Sequence, residues 1–175
     1  MIKNRLSIVI PVKDKEETVS KFIGGNKDIL SKYKVIVVDT KGGEALKQYS
    51  FIYINDIEGK YSMSEARKLG ISLVDTEYIL NLDTHVILPK HYINASVILM
   101  DNDKDIGAVS IDHKKLMGHL GFGQSIWRTE LLKELYDWDI TNTMCECTYL
   151  WGKLNRTKYR LETLSNIRCE HLVVK

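Results

Sequence analysis

The chain has 175 residues, which is enough to bury a substantial hydrophobic core within one compact domain over residues 1–175. Its composition, 44% hydrophobic and 27% charged, is that of an ordinary globular protein. The formal net charge of +2 argues against a nucleic-acid-binding protein. The densest basic stretch, residues 153–160, is typical of a solvated face.

The first third of the chain alternates apolar runs with helical patterns. Residues 6–12 and 34–39 are short, β-branched and unbroken, which predicts strands buried on both faces. Between them, residues 13–23 predict a helix that the sequence Gly24-Gly25-Asn26 interrupts. A loop over 40–43, a short helix over 44–48 and a third strand over 51–56 follow.

The rest of the chain continues the alternation of strands and helices. Ser62 is an N-cap candidate with Glu65 at capping-box spacing. The helix behind it would bury one face, formed by Met63, Ala66, Gly70 and Leu73. Further strands are predicted over 77–83 and 106–112, further helices over 91–102, 129–135 and 146–154, and a strand-like end over 166–174. This order predicts an α/β domain with a mainly parallel central sheet.

Several classes of protein are disfavoured by what the sequence lacks. Its apolar runs are shorter than the roughly 20 residues of a membrane span. The N-terminal apolar stretch ends at Pro11 and Lys13 with no small-residue cleavage site, and three cysteines do not resemble a secreted disulfide framework. No phosphate-binding loop, dinucleotide fingerprint or serine-hydrolase elbow is recognisable. We therefore expect a cytoplasmic protein without a membrane span.

Acidic residues follow three of the predicted strands. Asp14, Asp39 and Asp83 come at or just after strand ends, where open α/β sheets collect their ligands. In extended backbone Asp83 and His85 would point to the same side, and a carboxylate with an imidazole suits manganese or zinc. His171 is available as a third ligand. The alternative, in which Asp83 caps a turn and His85 bonds a carbonyl, is equally open on spacing alone.

A second metal site is formally possible among the cysteines. Cys145, Cys147, Cys169 and His171 make a three-cysteine, one-histidine set of the kind that holds structural zinc. Its spacing differs from the usual knuckle, and cysteines of this kind are more often small buried apolar residues. A zinc-stapled interaction domain therefore remains an alternative hypothesis.

Three stretches of the chain resemble glycosyltransferases of the GT-A fold, and family 2 most closely. "LSIVIPVKDKEETV" (6–19) is similar to the opening strand and nucleotide loop of that family, and "VIVVDTKGG" (35–43) to its second strand. "SEARKLGISLVDTEYILNLDTHVILP" (64–89) is similar to its helix, strand and metal motif. The motif reads D-x-H, as in polypeptide N-acetylgalactosaminyltransferases, whose C-terminal pattern resembles "GFGQSIWRTELL", "CECTYLWGKL" and "IRCEHLVV".

The resemblance implies a GT-A fold with a nucleotide-binding half over 1–112 and an acceptor and metal-completing half over 113–175. It implies that a UDP- or GDP-sugar is the donor, with nucleotide contacts from Pro11, Asp14, Asp39, Arg67 and Asp83. Manganese, or else magnesium, would be held by Asp83, His85 and His171. Glu146 takes the position of the family's catalytic glutamate. A surface position on its helix is the alternative for Arg67.

The resemblance also bears on stereochemistry and on the acceptor. Inverting relatives carry an aspartate base after the glutamate, and here that position is Cys147, so we expect a retaining enzyme. Trp127, Tyr136 and Trp138 would either face an unknown acceptor or belong to the core. A catalytically silent sugar-nucleotide-binding protein on the same fold is the second hypothesis, distinguished from an enzyme by whether bound donor is ever turned over.

Overall fold

The computed structural model describes residues 2–56, 58–111, 121–137 and 145–172, and a seven-stranded sheet runs through their centre. Helices cover both faces of this sheet. None of the helices in those ranges has the length and apolar character that crossing a bilayer requires. Trp138 and the end of the predicted fifth strand at Asp112 lie outside the described residues.

The strands are β1 (Leu6–Val12), β2 (Lys34–Asp39), β3 (Ile52–Asn55), β4 (Tyr78–Asn81), β5 (Val86–Ile87), β6 (Ile106–Ile111), β7 (Ile126–Arg128), β8 (Arg160–Leu164) and β9 (Glu170–His171). The helices are α1 (Glu16–Leu30), α2 (Met63–Ser72), α3 (Tyr92–Asn102), α4 (Thr129–Leu135) and α5 (Glu146–Leu154). Short 3-10 turns occupy Ile2–Asn4, Glu44–Tyr49 and Phe122–Gln124.

The large sheet has the strand order β3-β2-β1-β4-β7-β6-β8. Strands β1 to β4 pair in parallel, β7 is antiparallel to both of its neighbours, and β8 is parallel to β6. A separate two-stranded ribbon joins β5 to β9. The predicted mainly parallel α/β sheet is therefore confirmed, while β8, which begins at the end of the basic stretch 153–160, was not predicted.

Two apolar layers hold the helices on the sheet. On one face, side chains of α1 and α3 such as Phe22 and Val97 pack against β1 and β4. On the other, Ile71 of α2, Leu132 of α4 and Leu150 of α5 pack against Val9 and Ile79. Burial of both faces explains why the parallel strands are continuous apolar runs instead of alternating ones.

Helix α1 corrects one of the sequence predictions. It does not stop at Gly24-Gly25-Asn26 but continues to Leu30. The apolar ribbon strand lies so close that a Cβ on Gly25 would come within 2.5 Å of Ile87. The buried Asn26 side chain donates to the Val86 carbonyl at 2.9 Å and accepts from the Leu88 N–H at 3.0 Å. The packing of α1 against β5 therefore requires Gly25 and Asn26, although their local sequence predicts the end of a helix.

Helix α2 begins as predicted and packs tightly against the sheet. Ser62 and Glu65 form a complete capping box, with the Ser62 side chain and the Glu65 side chain each bonded to the other's backbone N–H. Gly70 lies against β1, where a Cβ would come within 2.5 Å of Val9. The predicted inner face is wrong at its end, because Leu73 is exposed and Ile71 is buried in its place.

Candidate active site

The carboxyl ends of β1, β2 and β4 meet at one edge of the sheet, since these strands are parallel neighbours. Asp39 is the last residue of β2, and Asp14 and Asp83 come two residues after β1 and β4. The expected gathering of these acids at one sheet edge is thus found. Pro11 is buried within β1, opposite Val38 in the ladder.

Asp39 is buried and engaged by its own loop. Its carboxylate accepts hydrogen bonds from the N–H groups of Lys41 and Gly43, each at 2.9 Å, and from the Tyr53 hydroxyl at 2.5 Å. Burial and this bond raise the pKa of Tyr53 well above its ordinary value, so the hydroxyl remains a donor. Asp39 therefore shapes the turn after β2, and its role toward a nucleotide stays a prediction.

The segment after β4 is a turn and not a continued strand. The Val86 N–H donates to the Asp83 carbonyl at 3.1 Å, which closes a turn through Thr84 and His85. The expectation that Asp83 and His85 share a face of extended backbone is therefore wrong. The Thr84 hydroxyl donates to the Asp14 carboxylate, and His85 Nδ1 lies 3.9 Å from Asp14 Oδ2. The turn thus ties the loop after β1 to the loop after β4.

Arg67 is buried at the centre of a network that we name the buried cluster: Arg67, Asp83, Tyr136 and Glu146. Its guanidinium donates to Asp83 Oδ1 at 2.6 Å and to Glu146 Oε2. Burial alone would lower the pKa of Arg67, but the charge of Asp83, the neighbouring Tyr136 and the hydrogen bond to Asp83 together outweigh it, so the pKa is raised. The alternative of a surface position for Arg67 is wrong, since only 4% of the residue is exposed.

Two aromatic rings complete the surroundings of this cluster. The Tyr136 hydroxyl contacts Glu146 Oε1, and the Tyr136 ring stacks on Phe122 with centroids 5.8 Å apart. The Arg67 guanidinium lies 5.2 Å from the centre of the same Phe122 ring. Gly123 follows, and its carbonyl accepts from the Asp83 N–H at 2.8 Å. Glu146, at the start of α5, is therefore held beside Asp83 by side chains from other segments of the chain.

His171, the third predicted metal ligand, lies near His85, the second. β9 pairs with β5 so that His171 is opposite Val86, and the rings of His85 and His171 have centroids 5.7 Å apart. His171 Nε2 also lies 3.3 Å from Cys169 Sγ. Two imidazoles are suitable donors for a divalent transition ion.

The predicted ligand set is not complete in this geometry. Over residues 2–56, 58–111, 121–137 and 145–172, no group of three or more His, Cys, Asp or Glu side chains is arranged to hold a metal ion. Asp83 is bonded to Arg67, while His85 lies nearer to Asp14. The donor types therefore fit a divalent ion, but the structure brings together only the two histidines of the expected set.

The zinc-stapled alternative is supported even less. Cys145 and Cys147 flank Glu146 at the start of α5, and they do not join Cys169 and His171 in any metal-binding group of the described residues. Burial raises the pKa of Cys147, which disfavours the thiolate that zinc requires. The structure therefore does not assemble the four-ligand set.

Sequence reasoning missed the roles of Tyr136, Phe122 and Gly123. Of the two predicted places for Tyr136, the core is confirmed, since it is 3% exposed in the second apolar layer, but the contact of its hydroxyl with the candidate catalytic glutamate was not predicted. The signal for Gly123 was its place in the glycine-punctuated "GFGQ" segment, where a Cβ would overlap the Asp83 carboxylate. Trp127 is a core residue, 4% exposed, whose indole N–H donates to Ser125 at 2.7 Å.

Comparisons with solved structures agree with this architecture. The mannosyltransferase PcManGT from Pyrobaculum calidifontis, in complex with GDP-Man and Mn2+, superposes with a TM-score of 0.77 at 14% identity, covering 97% of this chain and 56% of that one. S. aureus TarS 1-349 in complex with UDP-GlcNAc gives 0.69 at 14% identity, with 98% and 58% covered. Glucosyl-3-phosphoglycerate synthase from Mycobacterium tuberculosis, with Mn2+, UDP-Glc and glycerol 3-phosphate, gives 0.69 at 14% identity, with 98% and 73% covered.

These likenesses show the GT-A fold, and the chain spans between 56% and 58% of the length of the first two of these structures. Among curated proteins there is no significant sequence match. The sequence does match a family model, described as Glycosyl transferase family 2, over residues 7–157. The chain therefore belongs to glycosyl transferase family 2.

Proposed function

We propose that this protein transfers a sugar from a UDP- or GDP-linked donor to an acceptor, using the carboxyl edge of the sheet as its donor site. The observation that carries the proposal is the buried cluster, in which Asp83 and Glu146 share one arginine at that edge. A buried ion pair of this kind is costly to assemble and is weak support for stability alone. Its position in a family 2 domain favours a role in binding and catalysis.

The residues fall into two proposed groups. Pro11, Asp14 and Asp39 belong to the ends of β1 and β2 and the loops after them, where they would contact the base and ribose, and Arg67 and Asp83 would complete the nucleotide site. Glu146 is the candidate catalytic residue, and we propose retention of configuration because Cys147 replaces a second carboxylate.

A divalent ion, manganese or magnesium, is part of the proposal. It would neutralise the charge that grows on the leaving nucleoside diphosphate, an effect worth several kcal/mol. His85 and His171 would hold it together with Asp83. Support comes from the proximity of the two imidazoles and from Mn2+ in the PcManGT and glucosyl-3-phosphoglycerate synthase structures.

The first test is calorimetric titration of UDP and GDP into the protein, with and without manganese. We expect one nucleotide to bind, with an affinity that manganese raises at least tenfold. His85→Ala should abolish the manganese effect, because it removes one ligand. His91→Ala, which changes an exposed histidine at the start of α3, is the matched control and should bind as the wild type does. Binding of neither nucleotide, or equal binding by His85→Ala and wild type, contradicts the proposal.

A silent nucleotide-sugar-binding protein is the second candidate function. The observation that favours it is that both oxygens of Glu146 already contact protein donors and that its neighbour is Cys147. The two candidates differ in turnover. Release of free sugar from UDP-Glc, UDP-GlcNAc or GDP-Man on incubation with the protein indicates an enzyme, whereas tight binding with no release indicates a silent binder.

A further inference from the structure

Tyr136 comes directly after α4 and is held rigidly in place. Its N–H donates to the Leu132 carbonyl at 2.8 Å, and only 3% of the residue is exposed. The Tyr136 ring stacks on Phe122 with an interplanar angle of 24°. Backbone and ring are thus fixed independently of the hydroxyl, so the hydroxyl is not needed to hold the ring.

The Tyr136 hydroxyl has two acceptors within reach. The closer is Glu146 Oε1, and the other is the Ser64 carbonyl, 3.2 Å away in the first turn of α2. A phenol carries one proton, so only one of these contacts is a donated hydrogen bond at a time. Bonds to a charged carboxylate are the stronger kind, which favours donation to Glu146. Burial raises the pKa of Tyr136 above its ordinary value, so the hydroxyl keeps its proton at neutral pH.

Glu146 is therefore held from both sides. Oε1 contacts the Tyr136 hydroxyl, and Oε2 receives the Arg67 guanidinium. Each carboxylate oxygen has two acceptor sites, so each keeps one for a further partner. The Glu146 side chain is 16% exposed, which leaves it reachable from solvent. This is the arrangement of a carboxylate with a fixed orientation and a remaining capacity to accept.

We infer that Tyr136 is a positioning residue for Glu146, and that its hydroxyl sets the orientation in which this carboxylate meets the bound donor sugar. The inference rests on the proposed function, since it assigns a task to the candidate catalytic glutamate. It separates two roles within the buried cluster. Arg67 bonds to both carboxylates and joins the catalytic side to the nucleotide side, whereas the Tyr136 hydroxyl is within hydrogen-bonding reach of Glu146 and the Ser64 carbonyl.

The matched control lies elsewhere in the sheet. Tyr78 is fully buried, and its hydroxyl donates to the Asp101 carboxylate at 2.8 Å. Asp101 also receives an arginine, Arg5, so the two tyrosines have the same kinds of partner. Tyr136→Phe and Tyr78→Phe each remove one hydroxyl from a tyrosine, carboxylate and arginine group and leave the ring in place.

The experiment measures three quantities on wild type and both variants: the Kd for the nucleotide that the wild type binds, the single-turnover rate of sugar release from its donor, and the melting temperature. We expect both variants to lose a similar amount of thermal stability and to keep the wild-type Kd within about twofold. A misplaced catalytic group can cost up to about a hundredfold in rate. Tyr136→Phe should lower the rate between about tenfold and a hundredfold, and Tyr78→Phe should leave it unchanged.

The outcomes separate this inference from the proposed function. A wild type that releases no sugar from any of the three donors overturns the enzyme proposal and the positioning role with it. An active wild type with an unaffected rate in Tyr136→Phe overturns the positioning role alone. The positioning role also fails if the rate falls equally in both variants, or if Tyr136→Phe loses affinity and rate in parallel, because a purely structural hydroxyl would do either.

Discussion

Two arginines at opposite ends of the β4 strand each bind two carboxylates, but in different surroundings. Arg5 donates to Glu77 at 2.7 Å and to both oxygens of Asp101, which also receives the Tyr78 hydroxyl. We name Arg5, Glu77, Tyr78 and Asp101 the surface cluster. The Arg5 guanidinium lies 5.4 Å from the centre of the Tyr78 ring. The buried cluster likewise combines an arginine, two carboxylates and a tyrosine hydroxyl, and the aromatic face beside its arginine is that of Phe122.

The difference between the clusters is the burial of their ion pairs. The Arg5 side chain is 36% exposed and the Arg67 side chain 5%. Water screens the ion pairs of the surface cluster, which limits what they contribute to stability. The buried cluster has lost that solvation and depends on its own contacts for compensation. The surface cluster therefore joins segments of the chain at the surface. The buried cluster is costly to assemble, so a role in a functional site explains it better than a role in stability does.

Removing each arginine should give the largest difference between the clusters. Arg67→Ala leaves two acidic side chains without their counter-charge, and we expect a loss of about 3–5 kcal/mol in the free energy of unfolding. Arg5→Ala should cost about 1 kcal/mol or less, because its partners are solvated. Urea denaturation measures both. Repeating it at about 1 M salt, where the Debye length is about 3 Å, should shrink the Arg5 effect and spare the Arg67 effect. Equal losses in the two variants would remove the distinction between the clusters.

Gly123→Ala tests how closely the buried cluster is packed. The added Cβ would overlap the Asp83 carboxylate, so the backbone or Asp83 must move. We expect a loss of about 1–3 kcal/mol, measured by urea denaturation, together with weaker nucleotide binding. Gly24→Ala is the control, since nothing lies within 4 Å of its Cβ in α1. That change should stabilise the protein by about 0.5–1 kcal/mol, because alanine is the better helix former. Destabilisation by Gly24→Ala would contradict the continuous α1 helix.

The smallest expected effect is a pH dependence in the surface cluster. The hydrogen bond from Arg5 lowers the pKa of Asp101 to about 2, from its ordinary value of 3.8. Because the pKa of Asp101 is lower in the folded state, the ionised carboxylate stabilises the fold at pH values above the unfolded-state pKa. This stability is lost as the pH falls from the unfolded-state pKa toward the folded-state pKa of about 2. After allowance for screening, the loss should be about 1 kcal/mol. Unfolding curves of wild type and Asp101→Asn across this range measure it. The variant should lack this part of the pH dependence, and parallel profiles would count against the assignment.

The sequence predicted the parts of the fold that depend on local pattern. β1, β2 and β4 are apolar runs because helices cover both faces of the sheet, and α2 starts at a capping box whose residues are three apart. The gathering of Asp14, Asp39 and Asp83 also followed, since the ends of parallel strands share one edge. These features are readable because their causes lie in local sequence pattern and in the simple geometry of parallel strands.

The rest depends on contacts between distant residues. Arg67 and Glu146 are 79 positions apart, and the helical pattern around Arg67 does not by itself distinguish it from a surface helix residue. The turn at Asp83 to Val86 and the continuation of α1 through its two glycines are likewise set by neighbours in space. Hydrophobic periodicity and composition carry no information on which distant residues pair. The candidate site residues could therefore be predicted from the sequence, but their partners could not.

Asn26 has a consequence for the behaviour of the protein toward other chains. An open strand edge offers unpaired N–H and C=O groups to any passing strand. On one side of β5, the Leu172 N–H donates a hydrogen bond to the His85 carbonyl. On the other side, the Asn26 amide gives and takes one hydrogen bond each, as a neighbouring strand would. A single helical side chain thus takes the place of a neighbouring strand along the outer edge of β5, which closes that edge to strand addition. The Leu88 amide proton should exchange slowly as a result.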